Sequence, residues 1–275
     1  MKFNDLYGKV QYMANNIGIV GVGNMGKSIV SGIVQSNFVS EEHIYVCGHT
    51  IPQDIEKCNI NVTTLSELVE KSDYIILCIK PNGFDSLSRE IRNIGGFENK
   101  VFVSIAAGIR LDTLQKMFPA ARVIRAMPNL ALMSGAGMTT VCCMDNIAKQ
   151  DIEFVSDMFS CSGKCMLVPE KLMDACTAIS GSGPAYVFMF IEALADAAVK
   201  HGIKRSDAYI LASQTVLGSA KMQLDTSVHP AVLKDMVCSP GGTTIEAVCA
   251  LENSGLRSAV INAVDACAEK SRNMM

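Results

Sequence analysis

From Ile17 onward the chain alternates short apolar runs with amphipathic stretches. Ile17-Gly18-Ile19-Val20 is apolar, largely β-branched and followed by glycine, the form of a strand buried on both faces. Helical spacing follows over 25–35, and a second strand over 43–47. The alternation continues with a short strand at 61–63, a helix at 64–71 capped by Thr64 or Ser66, and a buried strand at 74–79 (YIILCI). Further strands are expected at 101–105, 122–125 and 138–143, with helices at 83–92, 111–117 and 146–159. Strands alternating with helices make βαβ units, right-handed crossovers and a mostly parallel sheet. The expected class is α/β, with an N-terminal doubly wound domain.

After Val168-Pro169 the strand pattern stops. Helical blocks follow near 170–179, 184–201, 206–224, 230–236, 243–253 and 255–272. Glu192, Asp196 and Lys200 recur every four residues and gather charge onto one face, and Gly202 ends that block. Much of the remaining helical surface is Ala, Val, Leu and Met on more than one side. Such a half buries its spare face against a second subunit. Three segments are therefore expected: an extension at 1–16, a dinucleotide-binding domain of Rossmann type at 17–168, and an all-helical substrate-binding and dimerisation domain at 169–275.

Composition narrows the function. The 275 residues are 49% hydrophobic and only 19% charged, which excludes a disordered chain. A net charge of −3 without a Lys/Arg run makes nucleic acid an unsuitable partner. Two uncharged stretches, 126–144 and 175–191, are punctuated by Pro128, Asn129, Gly135, Gly137 and by Ser180-Gly181-Ser182-Gly183-Pro184, so no membrane span is expected. The N-terminal residues show no apolar secretory core. Eleven cysteines are an odd number, and those in apolar runs (Cys47, Cys78, Cys142, Cys143, Cys249) read as small buried hydrophobes. No C-x-x-C pair occurs, and His43, His49, His201 and His229 lack metal spacing. The expectation is a reduced, cytoplasmic protein without a metal.

The chemistry begins at Gly21-Val22-Gly23-Asn24-Met25-Gly26, a G-x-G-x-x-G string between a strand and a helix. Gly21 permits the turn, Gly23 lets the backbone approach a pyrophosphate, and Gly26 lets the helix lie close to its strand. The free N–H groups of the helix start hold phosphate. At the second strand end stand Cys47-Gly48-His49-Thr50, with no carboxylate for a ribose 2′-hydroxyl. His49 and Thr50 can donate to a 2′-phosphate, so NADPH is favoured and NADH left open. The later strand ends, Lys80-Pro81-Asn82, Ala106-Ala107-Gly108 and Met127-Pro128-Asn129, face the same ligand or serve as ordinary βα turns.

Two loops mark the helical half. Ser180-Gly181-Ser182-Gly183-Pro184 is either a helix–helix connection or a close-approach surface beside the nicotinamide. Ser239-Pro240-Gly241-Gly242-Thr243-Thr244 opens a helix with two glycines and two hydroxyls. It reads as a neutral site for a small carboxylate, or as a helix start capped by Thr.

These motifs together resemble the pyrroline-5-carboxylate reductase family, from Ile17 to the C-terminus. The resemblance rests on GIVGVGNMG, Lys80-Pro81, SIAAG at 104–108, VIRAMPN at 123–129, DACTAISGSGPAY at 174–186 and HPAVLKDMVCSPGGTTIEAV at 229–248. It implies NAD(P)H-dependent reduction of the C=N bond of 1-pyrroline-5-carboxylate to L-proline. It also implies that residues 21–26, His49, Thr50, 80–82, 106–108 and 127–129 bind the dinucleotide. Cys238, Ser239, Gly241, Gly242 and Thr243 would take the substrate carboxylate, with Ser182 and Gly183 nearby, and the Thr244 hydroxyl would address the ring nitrogen. Relatives of this family interlock through their helical halves, form active sites between subunits, and assemble as dimers or decamers. Cys238 departs from the Ser or Thr usual there. Two alternatives remain: a hydroxyacid-dehydrogenase-like enzyme, whose catalytic lysine would be Lys171, Lys200 or Lys221, and a non-catalytic dinucleotide-binding regulator.

Overall fold

A computed structural model describes Tyr12 and residues 15–274; the rest of the 1–16 extension lies outside the described residues. The chain forms two compact units, one of residues up to Gly181 together with those from Ala268, the other Ser182–Cys267.

The first unit is built in chain order from β1 (Ile17–Val20), α1 (Asn24–Ser36), β2 (Ile44–Cys47), α2 (Gln53–Glu56), β3 (Asn61–Val62), α3 (Leu65–Lys71), β4 (Tyr74–Leu77), α4 (Phe84–Ile94), β5 (Val101–Ser104), α5 (Leu111–Met117), β6 (Arg122–Met127), β7 (Gly137–Cys143), α6 (Lys149–Ser160), β8 (Gly163–Leu167) and α7 (Met173–Cys176). The strands form one sheet in the order β3-β2-β1-β4-β5-β6-β7-β8. Every neighbouring pair is parallel except β6 with β7. Strand order reverses between β1 and β4, the switch point where doubly wound sheets place their ligands.

Period-two alternation feeds a core on each face. Tyr74 and Ile76 of β4 join Ile17, Ile19, Val101 and Val103 on one side, while Ile75 and Leu77 join Phe84, Ile91 and Phe102 on the other. Helices cover both faces, so β1, β4 and β5 are buried along their whole length, which is why they read as unbroken apolar runs. Thr64 caps α3 by accepting from the Glu67 N–H.

Two elements depart from the expected string. Short α2 follows Pro52, and β8 lies beyond the last expected strand. Edge strand β8 leaves Lys164, Met166 and Leu167 exposed, so it carries no alternating signal; it is fixed instead by parallel pairing with β7, where Gly163 sits against the Gly137 backbone. The cysteines also divide. Cys47 and Cys142 are buried as expected, Cys78 and Cys143 partly so, but Cys249 is exposed on its helix.

Beyond β8 the chain stays with the sheet until Gly181. Met173 is fully buried among the residues around Phe102. The Glu170 carboxylate accepts from the Leu111 N–H at 2.8 Å and from buried Arg125 at 3.3 Å, tying this segment to α5 and β6. At 177–181 the helix does not break, as Ser-Gly-Ser-Gly-Pro suggests, but widens into a π-helical turn.

The second unit contains α8 (Gly183–Lys200), α9 (Arg205–Thr226), α10 (Pro230–Val237), α11 (Thr243–Asn253) and most of α12 (Leu256–Arg272). The expected helices from 184 onward agree with these to within about two residues, the ordinary uncertainty of helix ends. Its buried interior is small: Ala195, Ala208 and Ala212, with Ile191, Ala198 and Val199 around them. Large apolar side chains lie outside, with Phe188 57%, Met189 69%, Ile210 68% and Ile261 60% exposed.

Candidate active site

Within the first unit, the glycine turn leaves β1 at the switch point. Gly21 adopts φ +93°, a left-handed conformation that glycine takes without strain, and its N–H donates to the Cys47 carbonyl at 2.8 Å. A Cβ on Gly26 would lie 2.1 Å from the Gly21 carbonyl oxygen, so only glycine lets α1 approach its strand here. Gly23 differs. It is exposed, and a Cβ there would meet nothing within 4 Å, so the space above it is open to a ligand. Gly23 is also the N-cap of α1, with no side-chain cap and no acidic residue in the first turn. The helix start therefore presents N–H groups and the positive end of its dipole without a competing carboxylate. These features fit a dinucleotide pyrophosphate. Cys78, which no motif singled out, lies beneath this turn against Gly21 and Gly26, and burial pushes its thiol far up.

The other motif residues of this unit line up along one edge. His49 and Thr50 are exposed just past β2, and Lys80-Pro81-Asn82 are exposed past β4. Ala106-Ala107-Gly108 follow β5, with Ala106 buried and Gly108 at φ +79°. Met127, Pro128 and Asn129 stand at the end of β6, Pro128 and Asn129 buried. Because β2, β1, β4, β5 and β6 are parallel, their carboxyl ends share one edge of the sheet, and the topology gathers all five segments there. The Asn129 side chain is engaged within the protein: it donates to the Ser180 carbonyl at 2.9 Å and accepts from the Met138 N–H at 3.2 Å.

Within the second unit, Ser182 and Gly183 open α8, and Ser182 accepts from the Cys267 thiol at 3.3 Å. The loop between α10 and α11 carries Cys238 and Ser239 to Gly242. Gly241 takes φ +65°, and the Gly242 N–H donates to the Ser239 carbonyl at 3.0 Å. A Cβ on Gly242 would lie 2.2 Å from the Ser239 hydroxyl. Of the two readings of this helix start, the Thr cap is not what forms: Gly242 is the N-cap of α11, and no side chain caps it. Thr243 is exposed and Thr244 half-buried in that first turn. An uncapped N-terminus flanked by two hydroxyls is suited to a small carboxylate. Of the lysines weighed for a hydroxyacid mechanism, Lys221 is paired with Asp225 on its own helix.

The family model described as Pyrroline-5-carboxylate reductase dimerisation matches residues 170–274. That described as NADP oxidoreductase coenzyme F420-dependent matches residues 16–108. The chain is similar to the pyrroline-5-carboxylate reductase of Escherichia coli (strain K12), 43% identical over 268 residues that cover 95% of this chain and 99% of that protein. Among solved structures it resembles the Plasmodium falciparum pyrroline carboxylate reductase with NADP bound, at a TM-score of 0.85 and 33% identity over 95% of this chain and 98% of that one. It also resembles the Coxiella burnetii pyrroline-5-carboxylate reductase, at a TM-score of 0.87 and 31% identity over 94% and 98%.

Proposed function

The chain belongs to the pyrroline-5-carboxylate reductase family, and from that premise we propose which of its residues carry the reaction. The enzyme reduces the C=N bond of 1-pyrroline-5-carboxylate to L-proline, the last step of proline biosynthesis, with NAD(P)H. Domain roles follow the sequence division: 17–168 holds the dinucleotide, and 169–275 holds the substrate and the second subunit.

Residues 21–26 hold the pyrophosphate on backbone N–H groups. His49, Thr50 and Lys80-Pro81-Asn82 line the adenosine and ribose side. Lacking a carboxylate after β2, the site favours NADPH over NADH. Ala106-Ala107-Gly108 approach the nicotinamide through small side chains and backbone, and Met127-Pro128-Asn129 through their backbone. When bound, the reduced nicotinamide supplies the hydride for the imine carbon of the ring, the carbon that becomes Cδ of proline.

Backbone groups of Cys238, Ser239, Gly241, Gly242 and Thr243 take the carboxylate at the start of α11, and Ser182 with Gly183 border the ring. Thr244 hydrogen-bonds the ring nitrogen and steadies its proton. A protonated imine is already electrophilic, so this reading needs neither metal nor nucleophile, and the protein's share is orientation. The observation that carries the reading is the pair of glycine-opened helix starts, α1 and α11, which lack any side-chain cap.

The working form is a homodimer through the helical unit, in some assemblies a decamer, and cytoplasmic. The helical run Glu170–Lys200 is long and apolar enough by composition to cross a bilayer, with 11% of its most apolar window buried. We assign that exposed surface to the second subunit rather than to lipid, and no nucleic acid partner is invoked. The test is an absorbance assay of NADPH and NADH oxidation with pyrroline-5-carboxylate and then with 2-oxo acids, the reduction substrates of a hydroxyacid dehydrogenase. Turnover of the cyclic imine, faster with NADPH, is expected. Turnover of 2-oxo acids alone would move the chain to the dehydrogenase alternative, and cofactor binding without turnover to the regulatory one.

A further inference from the structure

The π-helical turn Thr177–Gly181 creates a backbone problem that its own helix cannot solve. In an α-helix the Ser180 carbonyl would accept from the N–H four residues on. That residue is Pro184, which has none. The next N–H, of Ala185, is taken by the Ser182 carbonyl at 3.0 Å. Asn129 supplies the missing donor: its amide nitrogen lies 2.9 Å from the Ser180 oxygen, although 51 residues separate them. The other arm of the same amide accepts from Met138 N–H, so the side chain is held from both ends and buried to 8% exposure.

A second contact joins the same two segments. A Cβ on Gly181 would lie 3.0 Å from the end of the Met127 side chain, which therefore rests on the turn itself. Within the turn, Thr177 and Ser180 hydroxyls donate back to the carbonyls four residues earlier, at 2.8 and 2.9 Å, a bonding pattern that bends helices. Widened helical turns of this kind cluster at functional positions. This one is the last stretch of the first unit before the chain runs on into Ser182 and Gly183.

We propose that Asn129 is a positioning residue for the reduction: its side-chain amide replaces the hydrogen bond that Pro184 cannot give to Ser180, and thereby holds the turn that leads into the substrate-side residues. The inference rests on the reading above, because only there do Ser182 and Gly183 border the imine. Asn129 then contributes to turnover through where it sets the turn, and its side chain is no ligand of the dinucleotide.

The decisive variant is Asn129→Asp, which keeps the shape and the acceptor for Met138 but removes the donor to Ser180. Expected is a fall in kcat of about 10- to 100-fold, the scale of an ångström-sized misplacement, while the NADPH Kd read from its fluorescence stays within about twofold. A second experiment combines Asn129→Ala with Pro184→Ala, which returns an N–H to position 184. The kcat loss from Asn129→Ala should then be at least about fivefold smaller than in the native background, a coupling that independent sites do not show. An NADPH Kd that rises in step with the lost rate would make Asn129 a cofactor ligand and overturn the proposal. So would native kcat in Asn129→Asp, or a lowered melting temperature with native kcat per folded molecule, or losses that multiply independently. If the native enzyme itself fails to turn over the imine, the functional reading falls first, and the native control shows which has failed.

Discussion

Gly23 and Gly26 lie three residues apart in one turn, yet they answer to different neighbours. Adding a methyl to Gly26 drives it into the Gly21 carbonyl, whereas the same methyl on Gly23 meets no protein atom. Gly23→Ala should therefore fold with stability within about 1 kcal/mol of native, judged by urea unfolding, because Gly23 has no side-chain cap to lose and an extended backbone that alanine also adopts, leaving only the N-cap preference for Gly over Ala. Its NADPH affinity, however, should fall by an order of magnitude or more as the methyl takes the phosphate's place. Gly26→Ala should lose both properties, with about 1–3 kcal/mol of stability gone to overpacking. Equal damage from the two would mean that the open space at Gly23 is not where the cofactor lies. Thr244→Ala should lower kcat by about 10²-fold or less, since the hydrogen bond proposed for it acts where charge is being neutralised rather than created. Unchanged turnover and KM would remove Thr244 from the mechanism. Of the residue-level reading, the glycines were legible because each has a steric reason visible in a six-residue string. The Asn129 amide was not: its partner Ser180 is brought beside it only by the fold.

Elements were legible where burial on both faces leaves a continuous apolar run. That is why β1, β4 and β5 could be placed from Ile17-Gly18-Ile19-Val20 and its successors. Edge strand β8 could not, since half-exposed Gly-Lys-Cys-Met-Leu borrows its conformation from β7. The π turn is hidden for a related reason: Ser, Gly and Pro signal an interruption locally, while Met127 at the end of β6 and Asn129 just past it hold the turn in the fold. Beneath the sheet, Asp151 in the first turn of α6 joins three elements, accepting from the Tyr74 hydroxyl of β4 at 2.8 Å and from Arg122 of β6. Arg122 also donates to the Asn99 carbonyl at 2.7 Å. Asp151→Ala strands a buried phenol hydroxyl, and partly exposed Arg122 recovers some solvation, so a loss of about 2–3 kcal/mol in urea unfolding is expected. A loss under about 0.5 kcal/mol, the size of an ordinary surface substitution, would show that the bridge is idle.

For the molecule as a whole, pH acts from the alkaline side. Burial raises the thiols of Cys47 and Cys165 to about 11 and of Cys142 to about 12, and burial with Asp157 raises the Tyr12 phenol to about 12. Each group is neutral in the fold and ionises more readily once unfolded. Its stabilisation is complete below the ordinary value, 9.0 for a thiol and 10.0 for the phenol, and is lost as pH rises through 11–12. Unfolding free energy should thus decline above about pH 9, with a shallower slope in Cys142→Ala; an identical slope would clear that thiol. The second prediction at this scale concerns assembly. Native protein should elute from a sizing column as a dimer or larger, and Ile210→Glu, on the exposed apolar surface, should release monomers and abolish turnover. A fully active native monomer would refute the shared architecture.

The helical unit keeps only three small side chains fully indoors while Phe188, Met189, Ile210 and Ile261 face outward. If a second copy covers that surface, as proposed above, completion of its fold becomes a second-order process. Newly made chains would then have to meet to cover it, and yield should climb more steeply than synthesis rate. On the proposed dimer, a chain defective in its nucleotide turn but sound in its helices would still find partners, and wholly native pairs would fall as the square of the native share.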